Sequence, residues 1–202
     1  MTTLLLIRHG ENDYTRTGKL AGWTPGVRLN EAGRQQAEAL AERLKPLPLQ
    51  AIYSSPLERA RQTAAPLARA HGLSVQIRAA LGEVRYGQWT GRSLKALART
   101  RLWRTVQARP SAMTFQEGET FRDVQKRVVD EIETLAARHP KDAIAIVSHG
   151  DVIKLAVAHY LGLPLDLFQR LAVATASVSV LRLGHGQPTL VKLNDTGNPL
   201  PP

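Results

Sequence analysis

The 202-residue chain reads as an α/β protein built around an open sheet of parallel strands, and three observations predict this. Leu4-Leu5-Leu6-Ile7 is a continuous apolar run that stops abruptly at Arg8-His9-Gly10-Glu11. Short runs of this kind mark strands buried on both faces of a parallel sheet. Ala143-Ile144-Ala145-Ile146-Val147 repeats the plan and ends in Ser148-His149-Gly150. Between the two runs, strand-like and helix-like stretches alternate, as strand–helix–strand units require.

The elements follow in chain order. Residues 12–30 form a turn-rich loop holding Gly18, Gly22, Pro25 and Gly26. Asn30 is placed to cap a helix whose inner stripe is Ala37, Leu40, Ala41 and Leu44. Lys45-Pro46-Leu47-Pro48 ends that helix, and residues 51–54 make a second strand. Ser55-Pro56 is read as opening the next helix, with proline in the first turn, where its missing N–H costs little. Ala60, Thr63, Ala64 and Leu67 face inward, and His71-Gly72 ends the helix, which leaves His71 a dipole-favoured terminal residue. Residues 74–77 form a third strand leading to Glu83.

The stretch 86–119 is looser and is expected to be an excursion over the sheet edge, a lid or substrate-selecting segment. Within it, 93–107 carries a helical stripe of Leu94, Ala98, Leu102 and Val106 among Arg92, Lys95, Arg99, Arg101 and Arg104. Thr120 and Asp123 form a capping box for a helix with Val124, Val128, Ile132 and Leu135 inward, ending at His139-Pro140. A helix over 151–161 contains His159 as a packed or partly exposed residue. Residues 177–183 alternate as a strand and pair through a Gly184-His185-Gly186 turn with 189–193; the tail 194–202 is expected to fray. No repeat, low-complexity tract or linker divides the chain, so residues 1–202 are expected to form a single domain.

Composition narrows function. With 43% hydrophobic and 22% charged residues, the chain has the balance of a soluble globular protein. The absence of cysteine excludes disulfides, thiolate metal sites and thiol nucleophiles, and cytoplasmic location is the default expectation. The N-terminal apolar run is too short for a signal peptide or a membrane anchor. The net charge of +10 suits nucleic acid or a small anion. The basic residues are dispersed along helices among acids and alanines, with no basic tract interleaved with aromatics, which favours a solvated surface and no nucleic-acid partner.

Ligands bind at the carboxyl ends of the strands in an open α/β sheet. That edge collects Arg8 and His9 from the first strand, Arg59 from the start of the second helix, Glu83 after the third strand, and His149 with Gly150 after the fourth. Gly10 is expected to clear room for a ligand against the backbone. Two guanidinium groups beside the imidazoles would repel a metal cation, and no metal-ligand spacing is present. No Gly-x-Ser-x-Gly turn supports serine hydrolase chemistry. The set suits a tetrahedral dianion: arginine forks pair with phosphate oxygens, and a neutral imidazole can attack phosphorus.

Arg8-His9-Gly10-Glu11, then Ser54-Ser55-Pro56-Leu57-Glu58-Arg59-Ala60-Arg61-Gln62-Thr63, then Glu83 before Tyr86-Gly87, then Ser148-His149-Gly150 resembles the histidine phosphatase superfamily, the phosphoglycerate-mutase-like family. The resemblance implies a three-layer α/β/α sandwich on a mostly parallel sheet and metal-independent chemistry without a cofactor. It implies that His9 becomes phosphorylated, that Arg8, Arg59 and His149 hold the phosphoryl oxygens, and that Glu83 protonates the leaving oxygen and later takes a proton from water. Tyr14 and Thr15 stand where many members carry tryptophan and asparagine, and Thr15 is expected to offer its hydroxyl to phosphate in that asparagine's place. Ala21 replaces a residue that is polar in several members.

The family's mutases carry an arginine-rich insertion, whereas the segment between Glu83 and Glu119 is short. A phosphatase of a small, acidic phosphomonoester is therefore expected. A phosphomutase using the same phosphohistidine is the alternative, and a non-catalytic phosphate-binding module is a second. Nothing in the sequence signals an oligomeric state.

Overall fold

The computed structural model describes residues 1–184 and 186–197. Six strands form one sheet: β1 (Thr2–Arg8), β2 (Leu49–Ser54), β3 (Val75–Ile77), β4 (Ala143–Ser148), β5 (Val178–Leu183) and β6 (Thr189–Asp195), in the order β3-β2-β4-β1-β5-β6. The pairs β3/β2, β2/β4 and β4/β1 are parallel, and β5 and β6 close one edge in antiparallel register. The sheet is thus mixed but mostly parallel.

Helices cover both faces because alternate residues of one strand point to opposite sides. Leu5 and Ile7 pack with Leu40, Leu44, Ala60, Ala64 and Leu67 of α2 (Glu31–Leu44) and α3 (Glu58–His71). Leu4 and Leu6 face the other way, toward Val128, Ile132, Val152 and Leu155 of α6 (Phe121–Arg138) and α7 (Gly150–Tyr160). Burying each such side chain stabilises the fold by roughly 1.5–3 kcal/mol relative to leaving it in water. The three-layer arrangement is thus the one the apolar runs require.

Several boundaries differ from expectation for local reasons. Pro56 lies outside α3, which begins at Glu58 with Leu57 as its N-cap; the Ser55 hydroxyl accepts from Leu57 N–H at 3.2 Å and so shapes the approach to the helix. The expected helix over 93–107 is two helices, α4 (Leu94–Leu97) and α5 (Arg101–Ala108). Thr100 separates them: its hydroxyl donates to the Leu97 carbonyl at 2.7 Å and accepts from Trp103 N–H at 3.3 Å. The break turns the stripe, so Leu97 and Val106 are buried while Leu94 and Leu102 are exposed. β6 runs to Asp195, where expectation had a frayed tail from residue 194. The Asn194 side chain accepts from Ala174 N–H, and Asp195 pairs with Arg43 at 3.1 Å. His185 and residues 198–202 of the expected turn and tail lie outside the described residues. Between β1 and α2 a further short helix, α1 (Asp13–Arg16), forms in the expected loop.

Candidate active site

The register of β1 against β4 creates the site. Arg8 pairs with Ser148 across the ladder, so His9 and His149 are the next residues on neighbouring parallel strands, and His9 N–H donates to the Ser148 carbonyl at 3.0 Å. Their rings lie 5.2 Å apart between centroids. The two His-Gly echoes in the sequence are therefore one place in the fold.

α3 brings Arg59 beneath them. This residue is fully buried; its Nε donates to His9 Nε2 at 3.3 Å and its Nη2 to the Gly22 carbonyl at 2.9 Å. Glu83 arrives on the loop after β3. Ser148 Oγ donates to the Leu81 carbonyl at 2.7 Å, and Arg127 of α6 donates to the carbonyls of Ala80, Gly82 and Glu83 at 2.6, 2.9 and 3.0 Å. The loop is thus clamped from the sheet and from a helix. The Glu83 carboxylate points inward, with Oε2 3.7 Å from His149 Nδ1, while Arg85 turns outward and stacks on Trp23.

His9 Nδ1–H donates to the Gly10 carbonyl at 2.7 Å, since a carbonyl can only accept. That contact fixes the tautomer and leaves a lone pair at Nε2. Burial first, then the Arg59 and Arg8 charges, hold the His9 pKa well below the ordinary imidazole value, so the ring is neutral at neutral pH. Glu83 is shifted the opposite way, to about 7, by burial and then by the nearby Asp151 carboxylate, with Arg59 and Arg8 opposing. A neutral nucleophile-type nitrogen and a carboxyl that is part-protonated at neutral pH sit within one site.

A cavity of about 280 Å³ opens over this floor. Arg8, His9, Arg59, Glu83 and Gly150 line it, and Gly150 lets Arg8 lie close, because a Cβ there would meet Arg8 Nε at 3.2 Å. Arg8 is held by its Nη1 on the Val173 carbonyl at 2.7 Å. Four buried donors or acceptors at this place have no hydrogen-bond partner among the described residues: Arg8 Nε, Asn12 Nδ2, Arg59 Nη1 and His149 Nδ1. Buried polar groups are nearly always paired, and each exception calls for an explanation.

Two expectations change here. Thr15 lines the cavity, yet its hydroxyl is engaged in a capping box: it donates to the Asn12 carbonyl at 2.8 Å and accepts from Asn12 N–H at 3.0 Å. The free amide belongs to Asn12, fully buried, whose Oδ1 caps α1 and whose Nδ2 is unpaired. Gly10 clears room for α2 and not for a ligand, since a Cβ there would lie 2.7 Å from the Gly33 carbonyl oxygen.

Sequence reasoning also missed Tyr86, Asp151 and Lys154. Tyr86 OH donates to Asp151 Oδ2 at 2.8 Å, and Lys154 Nζ bridges Asp151 Oδ1 and Gln169 Oε1 at 3.2 and 3.1 Å. Asp151 and Lys154 were detectable as the residues just after His149-Gly150 that begin α7. The excursion contributes Trp89, Leu94, Trp103, Val106, Gln107 and Phe115 to the cavity wall. None of Arg92, Lys95, Arg99, Arg101 and Arg104 lines it. His71, His139 and His159 lie elsewhere, at a helix end, on Tyr53 and on the α7 surface.

A mostly parallel sheet with a histidine pair, two arginines and a carboxyl at its carboxyl edge defines a phosphoryl-binding α/β class. The profile of the histidine phosphatase superfamily (branch 1) matches residues 4–196, and the chain belongs to that family. Among its relatives, phosphoserine phosphatase 1 of Hydrogenobacter thermophilus is 31% identical over 97% of this chain and 93% of its own. The 2,3-bisphosphoglycerate-dependent phosphoglycerate mutase of Thermoplasma acidophilum is 31% identical over 93% of this chain and 90% of its own. The solved structure of Bacillus stearothermophilus YhfR superposes with a TM-score of 0.90 at 29% identity, covering 96% of this chain and 98% of that one.

Proposed function

We propose that the protein is a phosphomonoesterase working through a phosphohistidine on His9. The observation that carries this reading is the set of unpaired buried groups Arg8 Nε, Arg59 Nη1, Asn12 Nδ2 and His149 Nδ1 beside the unprotonated His9 Nε2, whose lone pair meets only the long contact from Arg59 Nε at 3.3 Å. A phosphoryl dianion supplies acceptors for all four. In the first step His9 Nε2 forms a bond to phosphorus, the bond to the leaving oxygen breaks, and Glu83 gives that oxygen its proton. In the second step water attacks phosphorus, Glu83 takes the water's proton, the P–N bond breaks, and orthophosphate leaves. Arg8 and Arg59 offset the charge that builds on the equatorial oxygens. Each role needs only this chain's own side chains.

Transfer of the phosphoryl group to water is favoured over a mutase, because none of the arginines of the excursion reaches the cavity to grip a second phosphate. The excursion 86–119 supplies aromatic and aliphatic wall and no cation to the cavity. An acidic metabolite, the substrate class of the phosphoserine phosphatase and phosphoglycerate mutase relatives, would be met by Lys19 and Lys154, the two further cations lining the cavity. Residues 86–119 act in this reading as a wall that selects the leaving group. The enzyme is assigned to the cytoplasm, where small phosphorylated metabolites occur, and no described helix is long and apolar enough to cross a membrane.

The test is release of nitrophenol from p-nitrophenyl phosphate together with trapping of an acid-labile phosphoprotein. A phosphate-binding module would give neither. A mutase would form the phosphoprotein and pass the group to a second hydroxyl faster than to water.

A further inference from the structure

We propose that Ser55 is a positioning residue that fixes His149 as the Nδ1–H tautomer, so that a neutral imidazole donates a hydrogen bond to the phosphoryl group. The inference rests on the proposed function for what His149 meets, but the tautomer itself follows from hydrogen-bond geometry.

Ser55 and His149 are both fully buried, and His149 Nε2 lies 2.8 Å from Ser55 Oγ. Leu57 N–H already donates to that oxygen at 3.2 Å. The hydroxyl's single proton then has one acceptor among its described contacts, the imidazole Nε2. Were Nε2 protonated instead, the serine proton would be buried without an acceptor. The lone pair on Nδ1 would then face the oxygens of the phosphoryl group in the proposed reaction, with no hydrogen to offer them. Both consequences are costly in a dry site. Nδ1 therefore carries the hydrogen, and it is this atom that lacks a protein partner.

His9 and His149 thus hold the same tautomer but present opposite ends. His9 turns its Nδ1–H away, onto the Gly10 carbonyl, and keeps a lone pair at Nε2, met only by Arg59 Nε at 3.3 Å. His149 gives its lone pair to Ser55 and leaves an N–H without a protein partner. One accepts phosphorus while the other donates to its oxygens, with no need for either ring to be charged. The charged and titratable groups around His149 are Arg8 at the end of β1, His9 just after it, Arg59 on α3, Arg127 on α6 and Glu83 on its loop. Burial and the arginines among them hold the ring neutral, so a donor that depended on an imidazolium would be scarce at neutral pH.

The experiment is long-range ¹H–¹⁵N correlation on histidine-labelled protein at neutral pH, assigned with His9→Ala and His149→Ala. In the parent both His9 and His149 are expected to be protonated at Nδ1. In Ser55→Ala the His149 proton is expected to move to Nε2 while His9 stays unchanged. Turnover of p-nitrophenyl phosphate and affinity for vanadate should both fall, turnover by about ten- to a hundred-fold, as for a lost buried hydrogen bond. The deficit should narrow toward acid pH, where an imidazolium again offers Nδ1–H, and Ser55→Thr, which keeps the hydroxyl, should recover most of the loss. Nε2 protonation of His149 in the parent would overturn the assignment, even if Ser55→Ala did not fold. A pH-independent loss with the tautomer unchanged would also overturn it, by reducing Ser55 to packing. Failure to trap a phosphoprotein in the parent would remove the proposed function and leave the tautomer to the spectra.

Discussion

The two halves of the cavity are built differently. Its floor, with Arg8, His9, Arg59 and Glu83 backed by the fully buried His149, hangs from adjacent parallel strands, a helix start and a doubly clamped loop, and its histidines, arginines and carboxylate are largely withdrawn from water. Its outer wall, with Trp89, Leu94, Trp103 and Phe115, comes from short helices and turns between Tyr86 and Glu119, where Leu94 and Leu102 remain exposed. Floor side chains are anchored by hydrogen bonds, Arg8 on the Val173 carbonyl, Arg59 on the Gly22 carbonyl and His149 on Ser55; the aromatic side chains of the wall rest on one another, as in the Trp89–Trp103 stack at 6.2 Å. The difference teaches that chemistry and selectivity are physically separable here. Changing the floor should alter the rate of bond making, and changing the wall should alter which leaving group is accepted.

The largest effect is expected at the centre of the floor. His9→Ala should lower turnover by ~10³-fold or more and eliminate the trapped phosphoprotein, because the attacking atom is gone. Substantial turnover in that variant would sink the mechanism. Glu83→Gln comes next. Phosphorylation by an alkyl phosphate should slow by ~10²–10⁴-fold, and by much less with p-nitrophenyl phosphate, whose leaving group needs no proton. The comparison is made in a pre-steady-state burst, because both substrates share the dephosphorylation step.

The Glu83 shift also gives the sign of a pH effect. Its carboxyl is held protonated up to about 7, first by burial and then by Asp151. The alkyl-phosphate phosphorylation rate should therefore be full below that pH and fall as pH rises through it. Asp151→Asn removes a negative neighbour, so the fall should move to lower pH. An unmoved limb in that variant would show that another group controls it.

On the wall, Trp103→Ala is expected to raise KM about tenfold, near 1.4 kcal/mol, with the phosphorylation burst of p-nitrophenyl phosphate little changed. A burst slowed as much as KM is raised would erase the distinction between the halves. The smallest effect should follow Arg101→Ala with Arg104→Ala: less than twofold in kcat/KM for phosphoserine, since neither lines the cavity. A loss of tenfold or more that vanishes at high salt would show that these cations steer an acidic substrate from outside. Excess chelator should leave all these rates unchanged, and restoration of activity by added magnesium or zinc would require a different account of the floor.

Much of the floor was legible in the sequence because its residues are attached to strong local signals. His9 and His149 each end a run of buried apolar residues, and Arg59 sits in the first turn of a helix after a strand. Asn12 was harder to see, since its role depends on a one-turn capping box that ties up Thr15, the residue expected to contact phosphate. The wall was read as an excursion over the sheet edge carrying one amphipathic helix. The hydroxyl of Thr100 breaks that helix by competing for backbone groups, and periodicity carries no sign of it.

The sequence by itself determined the strand–helix alternation, the two-faced burial of β1 and β4, and the presence of two His-Gly termini, because these follow from local periodicity and side-chain volume. Only the tertiary structure decided that β1 and β4 are neighbours in register, that Ser55 reaches His149, that Asp151 raises Glu83, and that the excursion turns rings inward and arginines outward. Those outcomes depend on contacts between residues far apart in the chain, such as Arg8 and Ser148, 140 positions apart, whose hydrogen bonds and charges exist only once the sheet has closed.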